Sequence, residues 1–370
     1  MKKIIVIGNG LATWTIANVL ADGDDYIKII GKKNNSYGAQ QLSKNGLVAL
    51  EKLLNKKIIK KNLNKLTELK INSFRYGRLK TLKNFYFYDF GLKYHSISRE
   101  ELILYLKNNL QNKSNIKYID QSCTRINETR NNYYKIYLDN NEVHDADIII
   151  GTDGISGITR KYVCGNDYIK SKKVYRGISD DFKHYFLSKG VVQLNFLKYG
   201  HLVSYPYYED NNKLLNNVFI PSEKYQNDND ILNKIYNLHD NFNIEWKESF
   251  YQFDTDNAQN IYKKNIYLFG ESAFTLEPHL AQGGNNILED GYYLKNILNK
   301  NDFSYDTAFK YLLKDRSEKK NKLKKISSLL GMIFGLNNGL AILRNQIIFK
   351  LPDKIFYNFF KKIWKNESYY

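Results

Sequence analysis

The chain has 370 residues, 43% of them apolar and 15% aromatic, and a formal net charge of +18. That length exceeds a usual single core and predicts two domains, while the apolar content excludes a disordered or low-complexity protein. Cys123 and Cys164 cannot build a disulfide framework or a cysteine zinc site, and six scattered histidines give no metal centre, so no metal is expected. Of the 56 basic residues 47 are Lys and nine Arg, beside abundant Asn, Ile and Tyr, a pattern that A/T-rich codon drift produces. The alternative is a basic face toward anionic lipid. Base readout draws on arginine, and with no Arg cluster or recognised binding motif nucleic acid is not an expected partner.

At the amino terminus two lysines precede an apolar run, as in a secretory signal, but Gly8-Asn9-Gly10 breaks the run early. The pattern predicts a buried strand at Lys3–Ile7, a glycine turn, a helix over Leu11–Ala21 and a second strand at Tyr26–Ile30. In such a βαβ start Gly8 permits the turn, and Gly10 lets a pyrophosphate approach the helix N-terminus. Thr13 stands in place of the third glycine. A carboxylate is expected at the end of the second strand to hold a ribose hydroxyl, yet the chain there reads Gly31-Lys32-Lys33.

Further on, Ala146–Ile150 predicts a buried strand running into Gly151-Thr152-Asp153-Gly154, then a short helix carrying Ser156 and Arg160. Asp153 fits either a ligand site or a helix cap. Alternating runs such as Val191–Phe196 and Leu215–Ile220 predict half-buried strands. Ile266–Phe269 is another buried strand, ending at Gly270-Glu271. The segment from Pro278 through Gln282-Gly283-Gly284-Asn285-Asn286 then opens a long helix, whose first N–H groups suit an electron-rich ligand. The tail over Ile326–Phe360 mixes apolar runs with lysines: either a helix closing the domain or an interfacial helix at a membrane. No apolar stretch in it is long enough to span a bilayer.

Taken together, the glycine fingerprint, the Asp153-Gly154 segment and the Gly270-Glu271 segment resemble the FAD-dependent aromatic monooxygenases of the para-hydroxybenzoate hydroxylase type, over roughly residues 1–300. The Pro278–Asp290 block is similar to salicylate-hydroxylase-like members, with Gly38–Gly46, Ser96–Leu102 and Gly200–Pro206 as further matches. The tail resembles the ubiquinone-biosynthesis hydroxylases. This resemblance implies an α/β fold: a Rossmann-like FAD-binding domain (1–70, 95–165 and 262–325) interrupted by a β-rich substrate domain (71–94 and 166–261), with a C-terminal helical tail (326–370).

It also implies a set of FAD contacts: Gly8, Gly10, Thr13, Lys32, Arg99, Asp153, Gly154, Gly270, Glu271, Gln282, Gly283, Gly284, Asn285 and Asn286. Pro278 would lie over the flavin. His201, on a strand expected to face substrate, could accept a phenolic proton or be a core histidine. The implied chemistry is reduction of FAD by NAD(P)H, addition of O2 at flavin C4a, and hydroxylation of an aromatic or polyprenylated small molecule in the cytoplasm. Departures from the pattern are Gly31, Thr13, Glu271 in place of Asp, and Phe274 in place of His. They leave open a non-hydroxylating flavin oxidoreductase, or a non-catalytic membrane-associated relative.

Overall fold

A computed structural model describes residues 1–33, 37–58, 63–75, 78–129, 133–165, 169–179, 190–236, 244–254, 261–300 and 303–365. The expected boundary at 165–166 and the last five residues of the tail border or fall outside them.

The apolar run Lys3–Ile7 forms the centre of a six-stranded sheet. The strand order is Tyr262–Lys263, Ile266–Leu268, Ile148–Gly151, Lys3–Ile7, Tyr26–Ile30 and Ile116–Ile119. All neighbours are parallel except the first pair, with Ile5 opposite Ile149 on one side and Lys28 on the other. Ile4, Val6, Ile27, Ile29 and Ile150 are fully buried, as strands covered on both faces require. From Lys3–Ile7 the chain moves outward through Tyr26–Ile30, whereas Ile148–Gly151 leads the other way to Ile266–Leu268. The switch point therefore falls between Lys3–Ile7 and Ile148–Gly151, and a crevice opens beyond their carboxyl ends. The turns at Gly8, Asp153-Gly154 and Gly270 all lie along that edge.

A second sheet has seven strands, in the order Glu245–Asp254, Ile169–Ser179, Asn212–Pro221, Gly200–Glu209, Val191–Phe196, Glu68–Arg75 and Arg78–Tyr86. It is antiparallel apart from the Val191–Phe196 and Glu68–Arg75 pair. Glu68–Arg75 enters this sheet a few residues before the position 71 at which the sequence pattern starts it. A small sheet of Ala39–Ser43, Tyr94–Ser98 and Asn64–Lys65 ties the two together, with the Ser96 hydroxyl donating to the Pro206 carbonyl at 2.5 Å.

The C-terminal helices are part of both cores. Ala308, Phe309 and Leu312 of the Tyr305–Phe334 helix pack into the core of the parallel sheet, whereas Leu323 joins the core of the second. The Asp353–Ile363 helix and Trp364 stack Phe356, Phe360 and Trp364 on Phe85, Phe87 and Tyr94.

Candidate active site

The first turn is built by contact. Gly8 has φ +137°, and a Cβ there would stand 2.5 Å from Thr152 Oγ1, so the two central strand ends close only around glycine. Thr13 is fully buried. Its hydroxyl accepts the Gly10 N–H (3.1 Å) and donates to Thr152 (2.8 Å), whose own hydroxyl donates to the Ile7 carbonyl. Thr13, expected as a cofactor contact, is thus a brace under the turn. Above it Gly10 is open: a Cβ there would meet nothing within 4 Å. The helix Leu11–Leu20 begins there with no acidic or basic side chain in its first turn, so its free N–H groups face the crevice.

The missing acid has a steric cause. A Cβ on Gly31 would lie 2.2 Å from the Gly8 carbonyl oxygen, so no side chain fits this backbone. The rim around it is filled by a polar chain. Tyr118 donates to the Gly31 carbonyl (2.7 Å), Asn9 Nδ2 donates to Tyr118 Oη and to the Lys32 carbonyl, and Trp14 Nε1 donates to Asn9. Lys32 points outward, its side chain 67% exposed and 3.6 Å from Asp139.

Asp153 takes the capping role that its sequence left open. Its carboxylate accepts the Thr159 N–H (3.1 Å) and the Thr159 and Ser272 hydroxyls. Burial nonetheless raises its pKa above the ordinary carboxylate value. The helix starts at Ile158, so Ser156 precedes it, and Arg160 turns inward to the Ser272 carbonyl. Ser272, which the sequence did not single out, accepts the Gly154 N–H at 2.8 Å and so fastens the second turn to the third. Gly154, at φ +84°, is as open as Gly10. Gly270, at φ +68°, approaches Ala12 so closely that a Cβ would meet it at 2.4 Å.

In the Pro278–Asn286 loop the amide side chains are scaffold. Asn285, fully buried, donates to the Gln41 and Ala281 carbonyls and accepts the Ser43 N–H. Gln282 bridges Ser43 and Asn45, and Asn286 reaches back to the Gln282 carbonyl and accepts from Arg316. All three, expected along the flavin edge, lock the loop to the strand Ala39–Ser43 or to neighbouring helices, and Asn286 also lines the adjoining cleft. Toward the cleft the loop presents Asn286 and the open backbone at Gly283. A Cβ at Gly283, the first residue of the helix Gly283–Leu298, would meet nothing within 4 Å, while Gly284 packs on Gln40. The adjoining cleft is lined by Glu271, Phe274, Gly283, Asn286, Asp290 and Lys320 among others.

One residue that the sequence reading passed over is Arg176, on the strand Ile169–Ser179. Its guanidinium lies near Arg99, Tyr205 and Glu271, and burial together with Arg99 depresses its pKa to about 10. Arg176 has no hydrogen-bond or ion-pair partner among the described residues. Beside it the Ala39 carbonyl accepts from Arg99 Nε (3.3 Å) and Tyr205 Oη (3.0 Å). A desolvated, unpaired guanidinium is costly unless an anion answers it. Its one sequence signal was rarity, as one of nine arginines.

His201 lies next to the Pro278 loop, 3% exposed, with ring centroids 5.2 Å from His279 and 5.1 Å from Phe334. Burial, with His279 and Arg344 nearby, holds its pKa well below the usual 6.5. The ring is neutral and weakly basic, and the end of the Tyr305–Phe334 helix covers it. The same cluster holds Glu277, 3.6 Å from His279 Nε2 and hydrogen-bonded to Tyr251. No group of three or more metal-ligating side chains occurs among the described residues.

The sequence matches no protein-family model, and no curated protein matches it. Solved structures do. A variant of Klebsiella pneumoniae HpxO complexed with FAD superposes with a TM-score of 0.82 at 14% identity, over 100% of both chains. CtdE in complex with FAD and substrate gives 0.73 at 14% identity, over 98% of this chain and 99% of that one. The 2,6-dihydroxypyridine-3-hydroxylase of Arthrobacter nicotinovorans gives 0.71 at 15%, covering 91% and 95%. The chain has the fold of these proteins.

The residues at the crevice fit such a cofactor over its diphosphate and ribityl portion. Gly10, Gly154 and Gly283 leave room where side chains would intrude, the first turn of Leu11–Leu20 offers free N–H groups, and Arg176 lacks an anion. At the adenosine end the fit is different, since no carboxylate can occupy position 31.

Proposed function

We propose that the protein is an FAD-dependent monooxygenase that uses NAD(P)H and O2 to hydroxylate an electron-rich aromatic small molecule. The observation that carries this reading is the convergence of three glycine turns at one sheet edge, with Arg176 near Glu271 of the third. Supporting it are FAD in the HpxO and CtdE complexes and the aromatic compounds named for neighbours, uric acid in a second HpxO complex and a dihydroxypyridine in the hydroxylase.

Bound FAD would supply the redox chemistry, accepting electrons from NAD(P)H and passing them to oxygen. This chain's residues supply binding, orientation and charge control. The N–H groups above Gly10 would hold the diphosphate, with Arg99 and Arg176 offsetting its charge. Glu271 would accept a hydrogen bond from a ribityl hydroxyl. The N–H groups at Gly283 and Gly284, at a helix N-terminus, would stabilise negative charge on the flavin's pyrimidine edge. Pro278 and the Phe334 cover exclude water from the reacting face. His201, neutral, accepts a hydrogen bond from a substrate hydroxyl, and its low basicity suits it to orientation better than to full proton removal.

Purified protein titrated with FAD, followed by NAD(P)H oxidation with a panel of phenols and hydroxylated heterocycles, tests the proposal. A yellow protein with phenol-stimulated NAD(P)H oxidation and a hydroxylated product is the expected result. Protein that stays colourless and cannot be reconstituted with FAD would sink it.

A further inference from the structure

The helix Asn338–Lys350 is turned inside out. Its Arg344 and Asn345 are 6% and 8% exposed, whereas Leu340, Leu343, Ile347 and Phe349 are 61%, 53%, 50% and 63% exposed. A helix on a protein in water ordinarily presents the opposite arrangement, apolar face inward and charge outward. The inward contacts are specific. Arg344 donates to the carbonyls of Ile333, Phe334 and Leu336 at the end of the preceding helix, and its guanidinium stacks 3.8 Å from the Phe196 ring centroid. Asn345 donates to the Ser73 hydroxyl at 2.8 Å. The polar residues thus anchor the helix to the seven-stranded sheet, and the anchoring forces the apolar face outward.

Neighbouring elements add to that face. Leu329 and Met332 on the preceding helix are 51% and 63% exposed, and Ile355 on the next is 49% exposed. The Tyr305–Phe334 and Asn338–Lys350 helices meet at 116°, and among the described residues no single helix is long and apolar enough to cross a bilayer. The described chain that follows the helix is basic. Beyond Lys350 the described chain carries exposed Lys354, Lys361, Lys362 and Lys365, and its one acid there, Asp353, is paired with Lys83 at 2.5 Å.

We infer that this face docks on an anionic lipid surface, with the apolar side of Asn338–Lys350 entering the interface and the lysines meeting headgroups. An exposed apolar face of this kind marks an interaction site, and a flanking lysine cluster is complementary to an anionic bilayer. The helix lies in the interface and does not span it. The inference is independent of the flavin reading, because none of the exposed residues takes part in the crevice.

Sedimentation of the full chain with vesicles of phosphatidylcholine alone, or mixed with phosphatidylserine, tests it. Expected is binding to the mixed vesicles, with affinity falling roughly tenfold or more in L343S/I347S/F349S. In K354E/K361E/K362E a loss of similar size should match the effect of high salt. Circular dichroism and thermal melting establish that both variants fold. Absence of binding to mixed vesicles by the folded wild type overturns the inference. So does binding that the triple serine variant leaves unchanged. Light scattering that shows a dimer, dissolved by the serine variant and with no vesicle binding, assigns the face to a second copy and also overturns it.

Discussion

Gly31 and Gly8 approach so closely that a Cβ on Gly31 would stand 2.2 Å from the Gly8 carbonyl oxygen. The absence of a ribose-binding acid at the end of the second strand therefore belongs to the geometry of the first turn, with Tyr118, Asn9 and Trp14 arranged around it.

Restoring the acid should consequently fail. Gly31→Glu is expected to lower stability by about 1–3 kcal/mol through overpacking, and FAD affinity should not rise. Thermal melting with an FAD titration checks this; a tighter flavin complex at unchanged Tm would contradict the steric account.

Arg176 separates cofactor binding from stability. Arg176→Met removes a half-buried cation without a partner among the described residues, so the apo protein should melt at the same or a higher temperature. Losing a charged hydrogen-bond donor to a bound anion should weaken FAD binding by about one to two decades. A variant that is less stable yet binds FAD normally would assign Arg176 to the scaffold.

Buried Arg316 holds Asp290 at 2.8 Å and Glu289 at 3.1 Å, with Lys320 on Asp290 and Lys319 on Glu289. Arg316→Met should cost about 3–5 kcal/mol, because two buried carboxylates lose a partner. Despite the opposing effect of burial, Lys320 and Arg316 lower the pKa of Asp290 below its ordinary 3.8. Its contribution is therefore complete above that value and lost as pH falls through the depressed folded value. Denaturant melts from pH 6 to pH 2 should show that loss, starting at higher pH in the variant.

His201 gives a second pH signature. With its folded pKa well below 6.5, protonation favours the unfolded chain. Stability should be complete above about pH 6.5 and decline on acidification. His201→Leu should flatten that slope in urea melts between pH 7.5 and 5. An equal slope in the variant would place the proton uptake elsewhere.

Much of this was legible in linear sequence. Apolar runs ending at glycine located the strands Lys3–Ile7, Ile148–Gly151 and Ile266–Leu268 and the three turns, because buried parallel strands and tight turns each require particular residues over a few positions. Which face of a residue meets the crevice was not legible. Thr13, Asp153, Gln282, Asn285 and Asn286 have side chains that suit a ligand, but their hydrogen bonds go to partners up to 244 residues away. No local pattern encodes that choice.

Arg176 and the Asn338–Lys350 helix show the same division. Composition yielded a lysine-rich chain of +18 and a tail of mixed apolar and basic residues. Only packing decided that Arg176 sits near Glu271, and that Arg344 turns toward Phe196 while Leu343 and Phe349 turn to solvent. Burial and pairing are relations between distant segments, whereas strand, turn and net charge are properties of neighbours and sums.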